Sequence, residues 1–126
     1  MKKIILAVLF CFAPFLAMAD SGDTRVVEMW QCELKEGKEM DDVKANNTKW
    51  LAMSKKEGGS DAINSYSMNA VVGDLTKFMF VDSYPDMATW AKVKSAEDTP
   101  EGEAIEATFN ELMECHKNRL FESTQH

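Results

Sequence analysis

Apolar and polar residues alternate imperfectly from Arg25 to Leu34, then change period, and that change marks the first structural boundary in the chain. The run Arg25-Val-Val-Glu-Met-Trp-Gln-Cys-Glu-Leu34 is rich in strand-forming side chains and reads as a strand. Val26, Glu28, Trp30, Cys32 and Leu34 share one face, and Val27, Met29, Gln31 and Glu33 the other. Both faces are partly apolar, which predicts a sheet covered on both sides. Lys35-Glu36-Gly37 is the turn. From Lys38 to Lys56 the period becomes helical. At about 100° per residue, Met40, Val43, Asn47, Trp50 and Leu51 form one stripe, with Asn46 at its edge. Gly58-Gly59 stops this helix.

Ala62 to Gly73 predicts a second strand, with Ile63 and Val71 on one face and Tyr66, Met68, Ala70 and Val72 on the other. Gly73-Asp74 turns it into a third strand, Lys77 to Tyr84, closing a hairpin. Asp86 is placed to cap a second helix that starts at Met87 and includes Trp90. The pattern breaks around Ser95 to Asp98 and restarts at Thr99-Pro100, a capping residue followed by proline in the first helical turn. Ala104, Ile105, Thr108, Phe109, Leu112 and Met113 continue an apolar stripe, and Arg119 to Thr124 predicts a short last strand. The order β-α-β-β-α-β is an α+β, ferredoxin-like arrangement: a four-stranded antiparallel sheet with helices on one face. Its first and last strands are neighbours.

Residues 1–19 stand apart from this pattern. Lys2 and Lys3 precede an apolar run from Ile4 to Leu16, and Ala17-Met18-Ala19 is an A-x-A cleavage site before Asp20. This is the layout of a bacterial-type signal peptide, and the run is shorter than the roughly 20 residues a membrane-spanning helix needs. A single domain, residues 20–126, is therefore expected in the periplasm or secreted, with no membrane association after cleavage. Cleavage discards Cys11 and leaves Cys32 and Cys115. An even count in an oxidising compartment points to a disulfide between them. Free thiols or a metal site are the alternatives, but zinc wants about four ligands and only His116 and His126 remain as histidines.

Charge narrows the partners. Fourteen Lys+Arg against 21 Asp+Glu give a net charge of -7, with no basic run, which argues against nucleic acid. Cleavage removes two lysines and makes the chain more acidic still. The methionines are scattered and read as core filler. There is no P-loop, GxGxxG, Ser-His-Asp set or metal-ligand spacing, so no cofactor or metal is expected.

Tyr84-Pro85-Asp86-x-x-x-Trp90 and Thr99-Pro100-Glu101-Gly102-Glu103-Ala104, on this element order, resemble the dimeric α/β-barrel superfamily and its antibiotic-biosynthesis-monooxygenase-like (ABM-like) domains. The resemblance covers most of residues 20–126. It implies a homodimer in which two sheets pack face to face, with a cavity between each sheet and its helices. It implies no single activity, because members include cofactor-free oxygenases, haem-degrading enzymes, peroxidases and domains with no known activity. The cofactor-free oxygenases hold a phenolic substrate with an Asn and a Trp one helical turn apart, and Asn46 and Trp50 match that spacing. The axial histidine of the haem-degrading branch has no counterpart, since no histidine occurs between Asp20 and Cys115.

Asn47 is the most unusual residue of the first helix, because an amide inside an apolar stripe must find hydrogen bonds or face a cavity. Glu28, Gln31, Tyr66 and Asp82 are further candidates to line such a cavity. A carboxylate shielded beside Trp30 would gain the raised pKa that a general base needs. The candidate ligand-binding residues are thus Asn46, Asn47, Trp50, Tyr66 and Glu28. The expected function is binding of a small, largely apolar ligand between helix and sheet. A cofactor-free monooxygenase for an aromatic substrate and a non-catalytic dimeric interaction module are the alternatives. Whether the chain is an enzyme stays open.

Overall fold

The computed structural model describes residues 23–126, and the expected signal peptide lies outside them. The elements are β1 (Thr24–Leu34), α1 (Met40–Gly58), β2 (Asn64–Asn69), β3 (Lys77–Tyr84), α2 (Met87–Glu97), α3 (Pro100–Leu112) and β4 (Met113–Thr124). The strands form one antiparallel sheet in the order β2-β3-β1-β4. This is the expected ferredoxin-like topology, with its second helix divided in two.

Local chemistry sets the boundaries. The Asp86 side chain accepts from the Thr89 backbone N–H at 2.7 Å and opens α2. The Thr99 hydroxyl accepts from Gly102 N–H at 3.3 Å, with Pro100 in the first turn, and opens α3. At the end of α1, Gly59 takes a left-handed φ of 67° that favours glycine. Gly58 permits a close approach: a Cβ there would lie 2.8 Å from Ile63 Cδ1 and 3.0 Å from Val93 Cγ2.

Two strands differ from expectation. β2 ends at Asn69, paired with Phe78, so Val71 and Val72 leave the sheet and stand exposed in the loop before β3. β4 begins at Met113 rather than Arg119, because it pairs with β1 as far as Leu34. Cys115 therefore lies inside the strand, directly opposite Cys32. The two form a disulfide with Cα atoms 3.9 Å apart, closing a sequence separation of 83. One residue later the register shifts, and His116 bulges out of the β1–β4 pairing.

The helices cover one face of the sheet. Val26 and Cys32 of β1, Phe78, Phe80 and Tyr84 of β3, and Val43, Trp50, Met53, Val93, Ile105 and Phe109 of the helices form the core beneath them. The expectation of a sheet covered on both sides does not hold within one chain. The second face carries Val27, Met29, Met79, Val81, Tyr66, Met68 and Phe121, and no helix among the described residues lies over it. The buried arc of α1 is also rotated from the expected stripe, running through Val43, Asn46, Trp50, Met53, Ser54 and Gly58. This helix packs against α2 and α3 as well as the sheet, so its centre moves from Asn47 toward Asn46.

Candidate functional site

A cavity of about 560 Å³ opens between the sheet and the helices. Four aromatic side chains wall it: Trp30 from β1, Phe80 from β3, Trp50 from α1 and Phe109 from α3. Asn47, Asp82 and Lys94 enter it among these rings, and Glu97, Glu106 and Glu114 also line it.

The polar groups occur where the strand pattern calls for apolar ones. Phe78, Phe80, Asp82 and Tyr84 alternate onto the helix-covered face of β3, and Glu28 interrupts the matching series on β1. Glu28 and Asp82 are direct cross-strand partners, two carboxyl groups set side by side with 3% and 5% of their surface exposed. Like charges in that relation disfavour each other.

Their surroundings separate them. Glu28 accepts from Asn118 Nδ2 at 2.8 Å and Trp90 Nε1 at 3.2 Å, and pairs with Lys94 Nζ at 3.0 Å. Asp82 accepts one hydrogen bond, from Ser65 Oγ to Oδ1 at 2.5 Å, and Ser65 in turn accepts from Asn47 Nδ2 at 2.9 Å. Burial pushes the Asp82 carboxyl up to about 7, against the Ser65 hydrogen bond and Lys94, with the charges of Glu28 and Glu97 adding to the rise. Burial likewise raises the Tyr84 hydroxyl, helped by Asp82 and Glu28. That hydroxyl has no hydrogen-bond partner among the described residues, although the Glu28 charge reaches it.

Lys94 also bonds Glu97 at 2.9 Å and stands 5.6 Å over the Trp30 ring. Burial alone would pull its ammonium down, but Glu97 and Glu28 outweigh that and hold it above the usual lysine value.

The candidates inferred from sequence fall into three places. Asn47 and Trp50 line the cavity. Asn46 is buried beside them but donates to the Ile105 carbonyl at 3.0 Å, tying α1 to α3, and is not in the cavity wall. Glu28 lies behind the wall and reaches the cavity through Lys94. Tyr66 is on the opposite face and 56% exposed, because its partner Val81 points away from the helices. Gln31 shares that outer face. Lys94 was detectable in advance: Trp90, Val93, Lys94 and Glu97 fall at i, i+3, i+4 and i+7 on one helical face. Phe80 and Phe109 carried no signal separating cavity wall from core.

His116 lies on the β4 bulge, and its Nε2 is 2.8 Å from Glu33 Oε1. Glu114 joins them, with potential ligand atoms within 4.8 Å of one another. Lys77 already pairs with Glu33 there and, together with His116, holds its carboxyl below the usual value.

No protein-family model matches the sequence, and no curated protein sequence matches it. Solved structures do resemble it. SnoaB, a cofactor-independent oxygenase from Streptomyces nogalater, aligns over 81% of this chain and 95% of its own, with a TM-score of 0.60 and 10% identity. A NIPSNAP family protein from Agrobacterium tumefaciens aligns over 79% of this chain and 86% of its own, with a TM-score of 0.59 and 18% identity. A conserved protein of unknown function from Bacteroides thetaiotaomicron, described as a possible oxidoreductase, aligns over 80% and 99%, with a TM-score of 0.56 and 17% identity. At these identities the likeness speaks for the fold alone, and the chain has a ferredoxin-like fold, which these neighbours share.

Proposed function

We propose that this protein is an exported domain that binds a small aromatic ligand in the cavity between its helices and sheet. The observation that carries this reading is the wall itself: four aromatic side chains around about 560 Å³, with a few convergent polar groups. Trp30 and Trp50 both stand in that wall, so ligand entry is read by their fluorescence. Saturable quenching by small aromatic compounds, lost in Asn47→Trp where the new ring fills the space, supports the reading. Absence of quenching by any of them overturns it.

Export is supported by the Cys32–Cys115 disulfide, which fits an oxidising compartment, and by the cleavage pattern at Ala19. No helix among the described residues is long and apolar enough to cross a membrane. The sheet face that no described helix covers supports a homodimer through that face.

A second reading, a cofactor-independent monooxygenase for an aromatic substrate, is favoured by the fold shared with SnoaB and by a buried Asp82 poised near neutral pH. Oxygen uptake on phenolic substrates that Asp82→Asn abolishes supports it, and ligand binding without uptake leaves the protein a binding domain.

A further inference from the structure

We infer that the ligand of this cavity carries a positive charge on its aromatic or apolar body, as an aryl-ammonium compound does. This rests on the aromatic-ligand reading above and adds the sign of the ligand's charge.

Charge around the cavity is unbalanced. Asp82, Glu97, Glu106 and Glu114 line it against Lys35 and Lys94, and Glu28 adds a further carboxylate just behind the wall. The two lysines are already engaged. Lys94 is held between Glu28 at 3.0 Å and Glu97 at 2.9 Å, and the Lys35 ammonium donates to the Asn110 carbonyl at 2.5 Å. Neither Asp82 nor Glu106 forms an ion pair among the described residues; Lys94 acts on both only at longer range.

Asp82 supplies a separate, directional observation. The residue is 5% exposed, its Oδ1 is taken by Ser65, and its Oδ2 receives no hydrogen bond from any described residue although the side chain lines the cavity. That oxygen is accessible from the cavity, where a ligand ammonium or its CH groups would give it a partner.

The walls select the same charge. The faces of Trp and Phe carry negative electrostatic potential and attract cations, as Lys94 over Trp30 already shows inside this protein. An anion would meet repulsion from four carboxyl groups, and a neutral ring would gain only the apolar contact. The groups facing Asp82 agree from each element: Ser65 from β2, Asn47 from α1, Glu28 from β1, Lys94 and Glu97 from α2, and Tyr84 on its own strand. Of these only Lys94 is cationic, and its charge is met by two carboxylates.

Three probes that share one phenyl ring decide the matter: benzyltrimethylammonium, benzyl alcohol and benzoate, titrated by tryptophan fluorescence into the full disulfide-bonded protein. At pH 8 the cation should bind about tenfold more tightly than the alcohol, and benzoate least well. The quaternary cation does not titrate, so lowering the pH to 6, which protonates Asp82, should weaken it about tenfold while leaving benzyl alcohol unchanged. Asp82→Asn should remove both the preference and the pH response. Glu106→Gln, at an exposed position on α3, should reduce the preference by about threefold. Alcohol binding as tight as the cation, with no effect of either substitution, overturns the inference and leaves the aromatic cavity standing. Saturable binding of none of the three overturns the aromatic-ligand reading itself.

Discussion

Asp82→Asn should make the protein more stable, and by an amount that depends on pH. In the unfolded chain Asp82 ionises near its ordinary 3.8, and in the folded chain at about 7. Between those values the folded state holds a proton that the unfolded state has lost. Stability is therefore highest with respect to this group below about pH 4 and falls as the pH climbs to about 7, by a ceiling of about 4 kcal/mol. The amide is nearly isosteric and neutral at every pH, and its oxygen can still accept from Ser65. The variant and the wild type should be alike near pH 4. By pH 8 the variant should lead by about 2–4 kcal/mol, or at least about 8 °C in melting temperature for a domain of this size. Urea unfolding at half-unit steps from pH 4 to 8, in the oxidised protein, reads the two curves. Parallel curves, or a variant less stable at pH 8, would refute the claim that burial of the Asp82 charge is a cost carried by the fold.

Asn46 and Asn47, adjacent in sequence, should behave in opposite ways. Asn46→Ala loses the buried link to the Ile105 carbonyl and should cost about 1–3 kcal/mol in urea unfolding, whereas Asn47→Ala should keep its midpoint within about 1 kcal/mol and lose ligand affinity. A midpoint loss confined to Asn47 would reverse those roles. Light scattering at micromolar concentration should report a dimer, and Met79→Arg, which places a charge among Gln31, Met68 and Phe121 on the uncovered sheet face, should halve the mass. Intact-mass measurement of protein recovered from the periplasm or medium should give a chain that begins at Asp20; retention of Met1 to Ala19 would defeat the export reading.

Much of the fold was legible because it is written in local chemistry. Asp86 and Thr99-Pro100 mark helix starts through hydrogen bonds a single side chain can make, and both were recoverable from sequence. Strand alternation correctly grouped Glu28 with Trp30 and Tyr66 with Met68, but it could not say which group the helices cover. That is why Tyr66 was taken for a cavity residue and stands on the uncovered face. The start of β4 was hidden for a related reason. Met113 to Asn118 is too polar to read as a strand alone, and is held as one by pairing with β1 and the disulfide. Asn46 and Asn47 exchanged places because the helical stripe was drawn for one packing surface, while α1 meets three elements. The Glu28–Asp82 pairing was legible least of all, since it depends on the register of two strands with a helix and a further strand between them in the chain.

The disulfide and the buried carboxyl group are opposed in their effects, and their separation makes the opposition testable. Closing a loop of 83 residues contributes on the order of 4 kcal/mol by restricting the unfolded chain. The ionised Asp82 subtracts an amount of similar size at alkaline pH. Cys32 lies four residues along β1 from Glu28, the cross-strand partner of Asp82, or about 13 Å along the strand. Perturbations so spaced, with no shared hydrogen bond, should add. Cys32→Ala combined with Cys115→Ala should thus lower stability by up to about 4 kcal/mol at every pH, and should bring the wild-type core closest to unfolding at pH 8. Adding Asp82→Asn to that pair should restore most of the loss at pH 8 and little of it at pH 4. Restoration equal at the two pH values would mean that the amide acts through packing rather than charge. A buried carboxyl group that lowers the stability of the fold at the cavity is the trade-off a binding site commonly carries, and it supports the ligand reading proposed for Asp82.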